Sequence, residues 1–483
     1  MTIADTNKRN TSFVAPDGSN LNEVRDLTNR MTDLVLQLRS EAGTRSFNRD
    51  PNENFANTAL NSFPVDDEEL FQQFGSLLDG AINTESPKFL GHMGAFPTAM
   101  SAIGDFAASS LNNNMIGLEL SPAFSILEEE LSKQLALFFG LPESSGGSIA
   151  TGGSLSNLHA LAVARNTILG DSKECGLHGI NAPCILASEA AHASIEKNAM
   201  LLGLGTDGLI KVSTTDNSQM DVDDLQNQIN TAIAAGKTPF CVVATAGTTV
   251  TGNIDPLPEI GAIAWKNGLW FHVDAAWGGG LQFSKKYKHR LSGIEQADSI
   301  TFCPQKLLLV ALSSSLVMFR DWQRMQSNFR INFTYLQESQ SFTDRSEIGV
   351  QGSRPAEVLK LWLSLKHIGL SAYGKMIESW IELADRVDQL VSELDYMESV
   401  GLPESAIICF RFCPPEISAN EYDKLNERMH RLIHDEAGVY LSKVRYKSQL
   451  WLRAVFQNPF TDASVIDGLF DYIVESKSKQ RFE

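Results

Sequence analysis

Five short apolar runs, "CILAS", "FCVVATAG", "LWFHVDAA", "SITFCP" and "SSLVMF", punctuate the middle of this chain. None alternates apolar with polar residues, as a half-exposed strand would. Runs of this kind belong to strands covered on both faces. Between about 95 and 375 they share the sequence with helical segments such as "PAFSILEEELSKQLALFFG" and "SLSNLHALAVARN". The alternation predicts an α/β domain built on a mostly parallel sheet with crossover helices. Ligands of such sheets bind beyond the carboxyl ends of the strands, so the residues just after each run carry the search for a site.

Two further segments flank this body. In residues 1–94, Val24, Leu27, Met31, Leu34, Val35 and Leu38 recur at helical spacing, and "DDEELFQQFGSLLDGAI" reads as a second amphipathic helix. Their apolar faces need burial, against a partner subunit or against the same chain. Residues 376–483 combine long helical stretches with "ESAIICFRF" and "QLWLRAVFQNP", the pattern of a small α+β domain. The chain has 40 basic and 58 acidic residues, a net charge of −18. That balance disfavours nucleic acid and anionic membrane surfaces as partners. The segment "MTIADTNKRNTSF" lacks the apolar core of a secretory signal, so a cytoplasmic protein is expected. Six scattered cysteines without CxxC spacing suggest neither a zinc site nor a disulfide framework.

Four features fall at strand ends or helix starts. "TGGSLSN" (Thr151 to Asn157) opens a helix, where glycines, Ser154, Ser156 and free backbone N–H groups would cradle a phosphate; an ordinary serine-capped helix is the alternative. Asp274 ends an apolar strand, so its carboxylate needs an arginine, a helix N-terminus or a protonated ring nitrogen. His192 follows "CILAS" and could lie against an aromatic ring. Lys306 stands alone in the nearly uncharged run from Phe302 to Phe319. It either reaches out to water or has its amine covalently engaged as a Schiff base. Pyridoxal 5′-phosphate satisfies all four features at once, with its phosphate, ring nitrogen, ring face and aldehyde.

With these residues in place, the chain from about Pro87 to Asn458 resembles the group II pyridoxal-phosphate decarboxylases, a family acting on glutamate, aspartate, cysteine sulfinate, diaminobutyrate and aromatic amino acids. The resemblance implies a fold type I transferase fold, decarboxylation of an L-amino acid to an amine, and a homodimer with shared active sites. It implies a cofactor site of Gly153, Ser154, Ser156, His192, Thr248, Asp274, Ala276, Gln305 and Lys306. Gly352 and Ser353 match a segment that approaches the phosphate from the neighbouring subunit. Gln305 stands in "CPQK" where relatives read N-P-H-K. "FTYLQES" matches a catalytic loop, with Tyr335 as the acid that protonates Cα. Arg453 in "LWLRAVFQNP" matches the arginine that holds the substrate α-carboxylate, and His92 falls where relatives read the substrate side chain. The "GHM" form around His92 favours an acidic substrate, aspartate or glutamate. Diaminobutyrate and aromatic substrates, and a fold type I aminotransferase, are the alternatives.

Overall fold

The computed structural model describes residues 12–47, 62, 64–94, 96–170, 172–331 and 342–479. It divides into two compact units, Met1–Phe89 and Leu90–Glu483. In the first, helices Leu21–Ser40 and Asp67–Asp79 occupy the two amphipathic segments. The second helix starts where Asp66 accepts a hydrogen bond from the Glu68 backbone N–H, an N-terminal cap. The two helices meet through an Arg30–Glu68 ion pair at 2.6 Å and the Arg30 guanidinium over the Phe71 ring. No residue of Leu21–Ser40 is buried.

The second unit holds a seven-stranded sheet: β1 (Gly146–Ala150), β2 (Pro183–Ser188), β3 (Leu209–Val212), β4 (Thr238–Thr245), β5 (Trp270–Ala275), β6 (Ser299–Phe302) and β7 (Ser315–Phe319). The strand order is β1-β7-β6-β5-β4-β2-β3. All pairings among β2 to β6 are parallel, and β7 runs antiparallel to both β6 and β1. The five apolar runs are five of these strands. Their burial explains the sequence pattern: Phe240 to Ala244 are all fully buried, as helices cover both sheet faces. The other two strands, "GGSIA" and "LIKV", lack an apolar run of comparable length.

Phe302 to Phe319 is not one continuous strand. The chain leaves β6 at Phe302, makes a tight turn through Pro304 to Leu308, and re-enters the sheet at Ser315. Lys306 therefore sits at the carboxyl end of β6, its N–H bonded to the Cys303 carbonyl at 3.0 Å. A second, antiparallel sheet follows: β8 (Met397–Ser399), β9 (Ile407–Phe412), β10 (Tyr440–Tyr446) and β11 (Gln449–Val455), ordered β10-β11-β9-β8. Helices Leu370–Ser392, Tyr422–Leu432 and Ala463–Ser478 accompany it. Among the described residues no helix is long and apolar enough to cross a membrane.

Candidate active site

The parallel strands end on one edge of the sheet, and the turns that follow them enclose a cavity of about 200 Å³. Four strand ends contribute. Past β2 comes His192, past β4 Gly247 and Thr249, past β5 Ala276 and Trp277, and past β6 Cys303, Gln305 and Lys306. The fifth wall is the start of helix Gly153–Ile168, which brings Gly153, Ser154 and Asn157. Gly152 enters that helix at φ +105°, a conformation that side chains with a Cβ rarely adopt. At Gly153 a Cβ would lie 2.9 Å from Cys303 Sγ, so the close approach of helix and strand requires a bare backbone there. The helix start thus presents unobstructed N–H groups and the positive end of its dipole to the cavity.

Asp274 lies on the cavity wall and is 4% exposed. Its Oδ2 accepts from the Asn157 amide at 2.8 Å and its Oδ1 from the Ala276 N–H at 3.1 Å. It makes no ion pair among the described residues. A buried carboxylate held only by neutral donors is electrostatically incomplete, and a protonated pyridine nitrogen in the cavity would complete it. His192 Nδ1 is held by Ser194, through its hydroxyl at 2.8 Å and its N–H at 3.1 Å. Because the backbone N–H must donate, Nδ1 accepts, and the neutral ring carries its proton on Nε2. Partial burial holds the His192 pKa below its ordinary value; Asp274 opposes that shift and Lys306 reinforces it. Burial likewise raises the Cys303 thiol, with Lys306 pulling the other way. Gln305 Oε1 accepts from the Ser314 N–H at 2.6 Å, which fixes the amide and leaves its NH₂ as the free end.

The residues read from the sequence divide in two. Gly153, Ser154, His192, Asp274, Ala276, Gln305 and Lys306 line the cavity together. Ser156 and Thr248 do not. Ser156 is fully buried against Ser315, Oγ to Oγ at 2.7 Å, and Thr248 Oγ1 pairs with Thr251 Oγ1 at 2.8 Å. Gly352 and Ser353 are also outside the lining, and Ser353 Oγ accepts from Asn114 at 2.9 Å. Tyr335 lies outside the described residues. Arg453, on β11, is 6% exposed and donates to Ser442 Oγ at 3.0 Å, to the Gly91 carbonyl at 3.4 Å and to the carbonyl of Thr249, itself a cavity residue. No carboxylate pairs with it among the described residues. His92 is near enough that the Arg453 charge, after burial, lowers its pKa. Asn157, Ser194, Thr245, Gly247, Thr249, Trp277 and Cys303 complete the lining and escaped sequence reasoning. Asn157, Thr249 and Trp277 directly follow residues already singled out, and Ser194 lies two past His192, so proximity in sequence was their only signal.

Residues 52–413 match the pyridoxal-dependent decarboxylase conserved domain. The chain belongs to the pyridoxal-dependent decarboxylase family. Cysteine sulfinic acid decarboxylase of Mus musculus is 34% identical over 357 residues, 72% of each chain. The acidic amino acid decarboxylase GADL1 of Xenopus tropicalis is 34% identical over 353 residues, covering 72% of this chain and 69% of its own. The crystal structure of mouse CSAD in apo form superposes with a TM-score of 0.87 at 28% identity, over 93% of this chain and 98% of that one. This decarboxylase is therefore a pyridoxal-phosphate enzyme that acts on amino acids, and decarboxylation takes precedence over the aminotransferase alternative. The incomplete electrostatics of Asp274 and the open helix start are what that cofactor requires of its site.

Proposed function

We propose that this decarboxylase converts an acidic L-amino acid, aspartate or glutamate, to its amine and carbon dioxide, as a cytoplasmic homodimer. The observation that carries the substrate class is His92 beside Arg453, a buried guanidinium with no carboxylate partner among the described residues, bonded to the carbonyl of a cavity residue and placed for the α-carboxylate that all amino-acid substrates share. Such a group favours an anionic ligand. His92 beside it supplies a second donor for a side-chain carboxylate. The names of the relatives, cysteine sulfinic acid and acidic amino acid decarboxylase, point the same way.

When bound, pyridoxal phosphate supplies an aldehyde for the substrate amine and an electron-withdrawing ring that weakens the bond to the α-carboxylate. Lys306 holds the aldehyde end between turnovers. Gly153 and Ser154, at the helix start, would receive the phosphate, with Gln305 as a further contact. Gly352 and Ser353 act across the subunit interface. Asp274 would keep a proton on the ring nitrogen, with His192 against the ring face and Ala276 as a further contact. Arg453 orients the α-carboxylate and His92 the side chain. Tyr335 would be the acid that supplies the proton to Cα. Residues 1–94 interlock the two subunits, residues 95–375 carry the cofactor, and 376–483 form the small domain. The unburied helix Leu21–Ser40, with Leu36 exposed, supports that interlocking role.

The test is a product assay on cofactor-loaded protein with aspartate, glutamate, cysteine sulfinate, diaminobutyrate, tyrosine and tryptophan offered separately. Carbon dioxide and amine from aspartate or glutamate are expected, and selective turnover of diaminobutyrate or an aromatic amino acid refutes the acidic assignment. For Tyr335→Phe a large loss of rate or a shift from amine to aldehyde is expected; an unchanged product and rate would remove Tyr335 from the mechanism. An active monomer on gel filtration would overturn the shared-site dimer.

A further inference from the structure

Behind the cavity runs a hydrogen-bonded chain of buried side chains. Trp270 Nε1 meets Ser299 Oγ at 2.8 Å, and Ser299 Oγ meets His272 Nδ1 at 2.9 Å. His272 Nε2 meets Asn157 Oδ1 at 3.1 Å. The Asn157 amide nitrogen meets Asp274 Oδ2 at 2.8 Å and Ser194 Oγ at 3.2 Å. Trp270, His272, Ser299, Asn157, Asp274 and Ser194 are all buried.

Donor and acceptor chemistry fixes the direction of the links at Asn157. The Asp274 carboxylate accepts only, so the Asn157 NH₂ faces it; flipping the amide would set oxygen against oxygen. Asn157 Oδ1 then faces His272, whose Nε2 must carry a proton. Trp270 can only donate to Ser299 Oγ; with the ring proton on Nε2, the serine hydroxyl donates to His272 Nδ1, which also lies 3.1 Å from the Ser299 carbonyl. Burial pushes the His272 pKa down to about 4, so the ring is neutral with one proton, the one this chain needs on Nε2. On the other branch, the second Asn157 N–H points at Ser194, and the Ser194 hydroxyl and N–H both point at His192 Nδ1.

We propose that Asn157 is the positioning residue that couples Asp274 to His192, with His272 as the group that locks its amide. The inference rests on reading this cavity as the pyridoxal-phosphate site. One amide then sets both the carboxylate that meets the ring nitrogen and the imidazole that meets the ring face. Neither Asp274 nor His192 can shift without moving the other. The sequence order supports no such pairing, since Asn157, His192 and Asp274 sit on three separate elements.

The experiment titrates the full-length apoprotein with pyridoxal phosphate, following fluorescence for affinity and absorbance for the state of the bound cofactor. Loss of a buried bond to a charged group predicts that Asn157→Ala weakens binding about tenfold to a hundredfold. Its absorption bands should also shift, because a displaced Asp274 no longer holds the ring proton; a purely structural defect would lower occupancy without moving the bands. The affinity loss should be smaller in an Asp274→Ala background and again in a His192→Ala background, as expected of residues acting as a unit. His272→Gln, which keeps a donor toward Asn157, should stay close to wild type, while His272→Leu moves toward Asn157→Ala. Wild-type affinity and bands in Asn157→Ala, or full additivity with both partners, overturn the coupling. If circular dichroism finds Asn157→Ala unfolded, identical behaviour of His272→Gln and His272→Leu overturns it instead. Failure of the wild type to bind pyridoxal phosphate would sink the reading of the cavity itself, whatever the variants do.

Discussion

Gly153→Ala tests the closest contact in the site. Its φ lies outside the left-handed region, so alanine is conformationally allowed. The added Cβ would stand 2.9 Å from Cys303 Sγ, with Ala276 Cβ at 3.7 Å and Thr301 Cγ2 at 3.9 Å in ordinary contact. The sulfur is the one atom that must move, and it is buried and pinned to Ser315 Oγ at 3.2 Å. Overpacking of this kind costs about 1–3 kcal/mol. Replacing glycine near a helix start returns about 0.5–1 kcal/mol through the unfolded chain. The expected net loss lies between about 0 and 2.5 kcal/mol, centred on about 1 kcal/mol. Movement of the sulfur or of the helix start distorts the phosphate end of the cavity, so cofactor affinity should fall about tenfold as well. The assay is thermal unfolding of the apoprotein beside a pyridoxal-phosphate titration. Cys303→Ala in the same background removes the clash and should recover most of both losses. A Gly153→Ala protein with wild-type stability and affinity, or a double variant no better than the single, would refute the reasoning.

Lys306→Ala should abolish turnover and release the cofactor on dialysis, checked by rate and by absorbance after buffer exchange; residual turnover would remove the lysine from the chemistry. Glu128 and Arg354 form an ion pair at 2.6 Å with both side chains at most 3% exposed. Glu128→Ala strands a buried guanidinium and should cost about 3–5 kcal/mol in urea unfolding. His159 is enclosed by the Phe319 and Phe329 rings, and burial lowers its pKa from 6.5 to about 4. Between those values the unfolded chain takes a proton that the folded one refuses, so stability is complete above pH 6.5 and falls as the pH drops toward 4. The stability difference between wild type and His159→Leu should therefore shrink by about 3 kcal/mol over that interval, measured by denaturant melts at each pH; a constant difference would show that the histidine titrates normally.

What was legible in the sequence follows from what each residue must satisfy. The five apolar runs announced strands because both sheet faces are covered and every position is apolar. β1 did not, because its glycines answer to neighbours and not to strand propensity: a Cβ at Gly146 would meet Trp322 at 2.6 Å, and one at Gly147 would meet the Val317 carbonyl at 3.0 Å. β3 is a half-exposed edge strand of four residues, too short to show a period. Within the site, residues that bear a charge, break a pattern or fall in a recognised motif were found, Ser154 and Gln305 among them, and the amide and hydroxyls of Asn157, Ser194, Thr245 and Thr249 were not. Ser154 and Ser156 looked equivalent in "TGGSLSN". Two helical residues differ by about 200° in direction, so one faces the cavity and the other turns into the sheet against Ser315.

The same logic ties two buried charges together. Asp274 and Arg453 lie on different sheets, each buried and each without an opposite charge in ion-pair reach among the described residues. A fold that tolerates one such group has a local irregularity; one that buries an anion and a cation separately, the cation bonded to the Thr249 carbonyl and the anion on the wall of the same cavity, keeps two groups unpaired. Held apart, each can stabilise only an external charge. The carboxylate suits a protonated ring, and the guanidinium suits a carboxylate carried in by the substrate.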